Sequence, residues 1–135
     1  MKEYEGGCHC GSVRYRCANS PELTFYCHCR DCQRTTGSPF SMELMIAKEG
    51  FHLQGEMEAY VITGDSGKPV TRWFCSACGS GIYLEADSDP DSLFLKVGSL
   101  DDASWVQPEM HIYTAAKQPW TKIDDGLPQY EGMPD

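Results

Sequence analysis

The sequence predicts a mainly β chain forming one domain over residues 1–135. Three observations carry the β assignment. Turn formers recur throughout, at Gly6-Gly7, Gly11, Asn19-Ser20-Pro21, Gly37-Ser38-Pro39, Gly50, Gly55, Gly64, Gly67, Gly79 and Gly81. Short apolar or alternating segments lie between them. No segment keeps a 3.6-residue apolar period for long. At 135 residues and 41% hydrophobic content the chain is long enough to bury a core, and no internal repeat or linker divides it.

The first strand is expected over 11–17, where Val13, Tyr15 and Cys17 alternate with Ser12, Arg14 and Arg16, which makes Cys17 a plain buried thiol. Further strands are expected over 23–27, 40–46, 59–62, 70–75, 81–84, 93–97 and 111–114. A helical turn or two fits within 29–36, and another after Leu100 with Ser99 as its cap. The Pro-containing tail after Lys117 reads as an extended segment packed through Trp120, Ile123 and Leu127.

Composition narrows the partners. Twenty acidic against eleven basic residues give a formal charge of −9, which repels nucleic acid and anionic membrane surfaces. The apolar runs, such as Leu44-Met45-Ile46-Ala47, are far short of a membrane span. The first seven residues lack the apolar core of a secretory signal, so the expected location is the reducing cytoplasm. There, eight cysteines are better read as metal ligands than as disulfides.

Seven of those cysteines form a pair, a triplet and a pair: Cys8-His9-Cys10, Cys27-His28-Cys29-Arg30-Asp31-Cys32 and Cys75-Ser76-Ala77-Cys78. Zinc is borderline soft, prefers tetrahedral coordination and binds thiolates well. The outer pairs supply the four ligands of a closed site, with Cys8 and Cys10 expected on an extended segment. Cys27, Cys29 and Cys32 supply three and leave a fourth position open, as catalytic zinc sites do. Two zinc ions per chain follow. His28, on the opposite side of its segment from Cys27 and Cys29, is expected behind the site rather than as its fourth ligand; His9 stands in the same relation to its own pair. His52 and His111 have no motif support. Arg30 and Arg34 lie beside the triplet cysteines, within residues 1–48, the region of the chain that is not acidic. They are candidates to offset its negative charge or to hold a substrate anion.

Three thiolates weaken zinc as a Lewis acid toward water and favour a soft fourth ligand, a substrate thiol bound as thiolate. Such a sulfur could add to a small carbonyl. The alternative is a non-catalytic zinc module for binding or metal carriage, its second site closed by a protein ligand such as His28.

The stretches 6–15, 27–37 and 72–79, with Val97-Gly98-Ser99-Leu100-Asp101, His111-Ile112, Trp120 and the segment 124–130, together resemble the glutathione-dependent formaldehyde-activating enzymes. That family also includes a vertebrate centromere-associated branch. The resemblance implies several coiled antiparallel β-sheets. It implies a structural zinc on Cys8, Cys10, Cys75 and Cys78, and a catalytic zinc on Cys27, Cys29 and Cys32. The implied activity is that of a carbon–sulfur lyase joining glutathione to formaldehyde as S-(hydroxymethyl)glutathione.

Overall fold

The computed structural model describes residues 3–134. Ten strands and one α-helix follow in the order β1 (Tyr4–Gly7), β2 (Arg14–Cys17), β3 (Leu23–Cys27), α1 (Arg30–Thr36), β4 (Ser41–Ala47), β5 (Phe51–Gln54), β6 (Met57–Thr63), β7 (Pro69–Cys75), β8 (Gly81–Ala86), β9 (Ser92–Lys96) and β10 (Met110–Ile112). Single 3₁₀ turns occupy Val97–Ser99 and Thr114–Ala116. The strands form two sheets, one ordered β1-β2-β5 and one ordered β10-β3-β4-β9-β8-β7-β6. Every pairing between these strands is antiparallel except β10 with β3. The expected mainly β architecture is thus present, with one parallel edge the sequence reading did not contain.

Period-two alternation decides which face each strand buries. In β2, Tyr15 and Cys17 are buried while Arg14 and Arg16 face solvent. In β4 and β9, Leu44, Ile46, Leu93 and Leu95 point the same way and join Tyr4, Val13, Tyr15 and Cys17 in the main core, which links the two sheets. Each such fully buried aliphatic side chain contributes roughly 1.5–3 kcal/mol.

The other face of the large sheet is the one that matters for function. The register pairs Ile112 with Cys27, Phe25 with Glu43, Glu43 with Lys96, Phe94 with Leu84, and Leu84 with Arg72. Residues two apart on a strand share a face, so these side chains form one surface across the sheet. A second, smaller core of Phe25, Cys27, Cys32 and Ile112 lies on it.

Several expectations differ from the structure. The strand expected from Gly11 begins at Arg14, because residues 8–11 form a turn in which the Gly11 amide donates to the Cys8 carbonyl and Gly11 takes φ 86°. Cys8 and Cys10 therefore sit on a turn and not on an extended segment. Among the described residues no helix begins at Leu100. The Ser99 hydroxyl instead donates to the Lys96 carbonyl and lies 2.7 Å from the Tyr15 hydroxyl, so it caps nothing. Trp120 is 65% exposed and does not anchor the tail. β1 and β5 lie outside the expected strands. Among the described residues no helix is long and apolar enough to cross a membrane.

Candidate metal centre

The first cluster joins two turns 65 residues apart in sequence. One is the β1–β2 turn with Cys8 and Cys10; the other is the β7–β8 turn with Cys75 and Cys78. Their four sulfurs all lie within 4.8 Å of one another. Backbone amides aim at the sulfurs: Val13 N–H at Cys8 Sγ (3.2 Å), and Ala77 and Cys78 N–H at Cys75 Sγ (3.4 Å each). The Ser12 hydroxyl is 3.1 Å from Cys10 Sγ and 3.3 Å from Cys75 Sγ, and the Ser80 hydroxyl is 3.2 Å from Cys78 Sγ. These donors favour thiolate over thiol. Hydrogen bonds from Ser80 lower the Cys78 thiol to about 5. Four sulfurs with N–H support, at bonding separation for one ion, fit a tetrahedral thiolate site.

The second cluster straddles a change of element. Cys27 ends β3, Cys29 is the N-cap of α1, and Cys32 lies in the first turn, its amide donating to Cys29 Sγ at 3.2 Å. The three sulfurs lie within 4.8 Å of one another. Hydrogen bonds from the Cys27 and Cys32 thiols lower Cys29 to about 3, whereas Cys27 is pushed well above the ordinary thiol range by those same neighbours and by burial. Crowded sulfurs of this kind cannot all ionise without a cation among them, so the donor chemistry fits a divalent soft metal.

His28 is not among the grouped donors. It is 1% exposed, and its Nε2 lies 2.9 Å from Nδ1 of His111, whose Nε2 lies 2.7 Å from Asp125 Oδ2. With the Asp125 carboxylate as acceptor, His111 donates from Nε2 and His28 donates to His111 Nδ1. Burial lowers the pKa of the His28 imidazole. The placement behind the cluster agrees with the sequence reading. His111, which lacked motif support, turns out buried and part of this chain, while His9 and His52 are exposed. The same segment is gripped from the other side by Gln33, whose Nε2 donates to the carbonyls of His28 (2.7 Å) and Ala116 (3.1 Å).

A cavity of about 510 Å³ opens over Cys27, Cys29 and Cys32, walled in part by Glu43, Arg72 and Tyr113. Tyr113 has φ 56°, and no other non-glycine residue among those described has a positive φ. Such strain in a bulky residue is characteristic of functional sites. Glu43 is buried, accepts hydrogen bonds from Lys96 Nζ (2.9 Å) and the Ser41 hydroxyl (2.8 Å), and lies 4.0 Å from Cys32 Sγ. Burial disfavours the Lys96 ammonium, but the Glu43 charge more than offsets this and raises its pKa. Arg30 and Arg34 are exposed on α1 and do not line this cavity; Arg30 donates to Gln33 Oε1. The guanidinium that does line it is that of Arg72. Sequence reasoning passed over Arg72, Glu43, Lys96 and Tyr113 as site residues, although Arg72 lies in the stretch that carries the family resemblance.

Known proteins resemble this chain in sequence and in fold. The model of the glutathione-dependent formaldehyde-activating enzyme family matches residues 3–116. A Halomonas elongata protein, provisionally named as a glutathione-dependent formaldehyde-activating enzyme, is 25% identical over 134 residues, covering 89% of this chain and 80% of its own. An uncharacterized lyase of Schizosaccharomyces pombe is 25% identical over 95 residues, 70% of this chain and 66% of its own. A crystal structure of a Rhodobacter sphaeroides protein shares the fold with a TM-score of 0.59 at 23% identity, over 77% of this chain and 91% of that one.

Proposed function

Because the chain belongs to the glutathione-dependent formaldehyde-activating enzyme family, we propose that it is a zinc-dependent carbon–sulfur lyase that joins a thiol to a small aldehyde. Glutathione and formaldehyde are the leading pair. The observation that carries the reading is the contrast between the two clusters. One has four sulfurs knitting two turns together, and the other has three sulfurs at the floor of a cavity. In this reading Cys8, Cys10, Cys75 and Cys78 hold a structural zinc, and Cys27, Cys29 and Cys32 hold a second. That second zinc, when bound, supplies a position for a soft fourth ligand and stabilises it as thiolate. His28, held by His111, and Gln33, bonded to the His28 carbonyl, fix the segment that carries Cys27 and Cys29. A reducing cytoplasm would suit eight free cysteines.

The chemistry required of the protein is modest. The substrate sulfur adds its electron pair to the carbonyl carbon, a C–S bond forms, and the carbonyl π pair moves to oxygen. Tyr113 Oη donates a hydrogen bond to that oxygen, which takes up through solvent the proton shed by the substrate thiol. Burial and Asp65 raise the Tyr113 hydroxyl well above its ordinary pKa, so it keeps its proton and serves as a hydrogen-bond donor to the developing negative charge. The hydroxymethyl product leaves by the cavity mouth. The reverse sequence releases aldehyde and thiol.

The uncatalysed reaction is the control. Exchange NMR with ¹³C-formaldehyde and glutathione should show interconversion faster than background for protein carrying two zinc ions per chain. Tyr113→Phe should lower that acceleration by about a hundredfold with metal content unchanged. A fully loaded protein that leaves the background rate unaltered would rule the reading out.

A further inference from the structure

A second cavity, of about 730 Å³, lies beside the first, and one residue, Arg72, lines both. The two cavities differ in charge. The thiol cavity contains Asp31, Glu43 and Asp65. The second contains no acidic residue, although the chain as a whole carries a formal −9. Its charged residues are Arg72 and Lys96, and aromatic side chains including Tyr60 and Trp73 form much of the rest.

Lys96 is committed to Glu43. Arg72 has no such partner: no carboxylate lies within ion-pair distance of it among the described residues, and its buried Nε and Nη1 donate to nothing. The indole Nε1 of Trp73 is likewise buried without an acceptor. Two buried guanidinium nitrogens without an acceptor are costly to leave so, and a planar anion such as a carboxylate satisfies a guanidinium in bidentate fashion.

We propose that the second cavity is a subsite for the carboxylate-bearing end of an extended anionic thiol, with Arg72 as its anchor and specificity residue. This rests on the thiol–aldehyde reading above. It adds that the sulfur occupies the three-cysteine cavity while the acidic end passes Arg72 into the acid-free one. A thiol bearing carboxylates is thereby accommodated on an acidic protein, because repulsion from Asp31 and Asp65 and attraction to Arg72 act in the same direction.

Two variants test this. Arg72→Gln removes the charge. Gly98→Asp places an acid in the second cavity without a clash, since a Cβ at Gly98 meets nothing within 4 Å and the backbone there lies outside the left-handed region. Gly98→Asn is its neutral control. The measurement is the dissociation constant, by calorimetry on zinc-loaded protein, for glutathione, for its diethyl ester and for 2-mercaptoethanol.

The wild type and Gly98→Asn should bind glutathione at least tenfold tighter than the diester. Arg72→Gln and Gly98→Asp should weaken glutathione by about tenfold to a hundredfold and change the other two thiols less than twofold. Equal weakening of all three thiols, or none for glutathione, would overturn the subsite and leave thiol binding intact. Should Arg72→Gln not fold, Gly98→Asp against Gly98→Asn decides alone. A wild type that binds none of the three thiols would sink both readings.

Discussion

The Glu43–Lys96 pair offers a quantitative check on the site's electrostatics. Glu43 is 3% and Lys96 14% exposed in their side chains, and each is the other's nearest opposite charge at 2.9 Å. Glu43→Gln keeps the shape and an acceptor for Ser41 but strands an ammonium in low dielectric. Removing one member of a buried pair costs about 3–5 kcal/mol. The residual exposure of Lys96 puts the expected loss at the lower end, about 3 kcal/mol. The double variant Glu43→Leu/Lys96→Met, which removes both charges and keeps apolar volume, should lie within about 1 kcal/mol of wild type. Urea unfolding of metal-loaded protein, followed by far-UV circular dichroism with metal content checked in parallel, supplies both numbers. A single variant that loses less than about 1 kcal/mol would mean that Lys96 escapes to solvent, and that the pair does not shape the charge beside Cys32.

Four shorter tests follow. Cys29→Ser should release one of two zinc ions by elemental analysis with the circular dichroism spectrum unchanged, whereas Cys75→Ser should impair folding, because only the latter cluster ties two distant turns together; equal unfolding would contradict that division. Gly6→Ala should cost about 1–3 kcal/mol in thermal unfolding, since its Cβ would lie 2.3 Å from the Ser99 carbonyl oxygen. The Asp125 carboxyl is held below its ordinary range by the hydrogen bond from His111. Its contribution is therefore complete above the unfolded carboxylate value of about 4 and lost as pH falls through the lowered folded value, so Asp125→Asn should flatten the acid limb of the stability profile. Asp101, held low by Arg14 in an exposed bidentate pair, has the same sign. Asp101→Asn should cost no more than about 1 kcal/mol at neutral pH, read by the same denaturation.

What was legible in the sequence was whatever local spacing encodes. The strand at 23–27 appears with the expected bounds, and the cysteines gather into the two expected groups. Local spacing failed where a residue serves a distant contact. Gly6 and Gly7 read as a turn, yet they lie in β1. Gly6 is small because the Ser99 carbonyl and the Tyr15 hydroxyl press against it, not because the chain bends. Ser99 read as a cap, but its hydroxyl was needed by Tyr15, 84 residues away. Arg30 and Arg34 were attractive because they adjoin the triplet, but a helix turns them outward. Arg72, on a strand three removed from β4, reaches the cavity only through the sheet order. The His28–His111–Asp125 chain needed the parallel pairing of β10 with β3, which nothing in the spacing of those residues announces.

The closing stretch of the chain helps to decide what reaches the thiols. The family model matches residues 3–116. Beyond it, Pro128 and Gly132 offer carbonyls to the amides of His111 and Tyr113, and Gly132 and Met133 line the mouth of the thiol cavity. The clustered thiols thus lie within the matched stretch, while Gly132 and Met133 lie beyond it. A substitution at Met133 can alter which molecules enter without touching a clustered sulfur or the Asp125 carboxylate that holds His111.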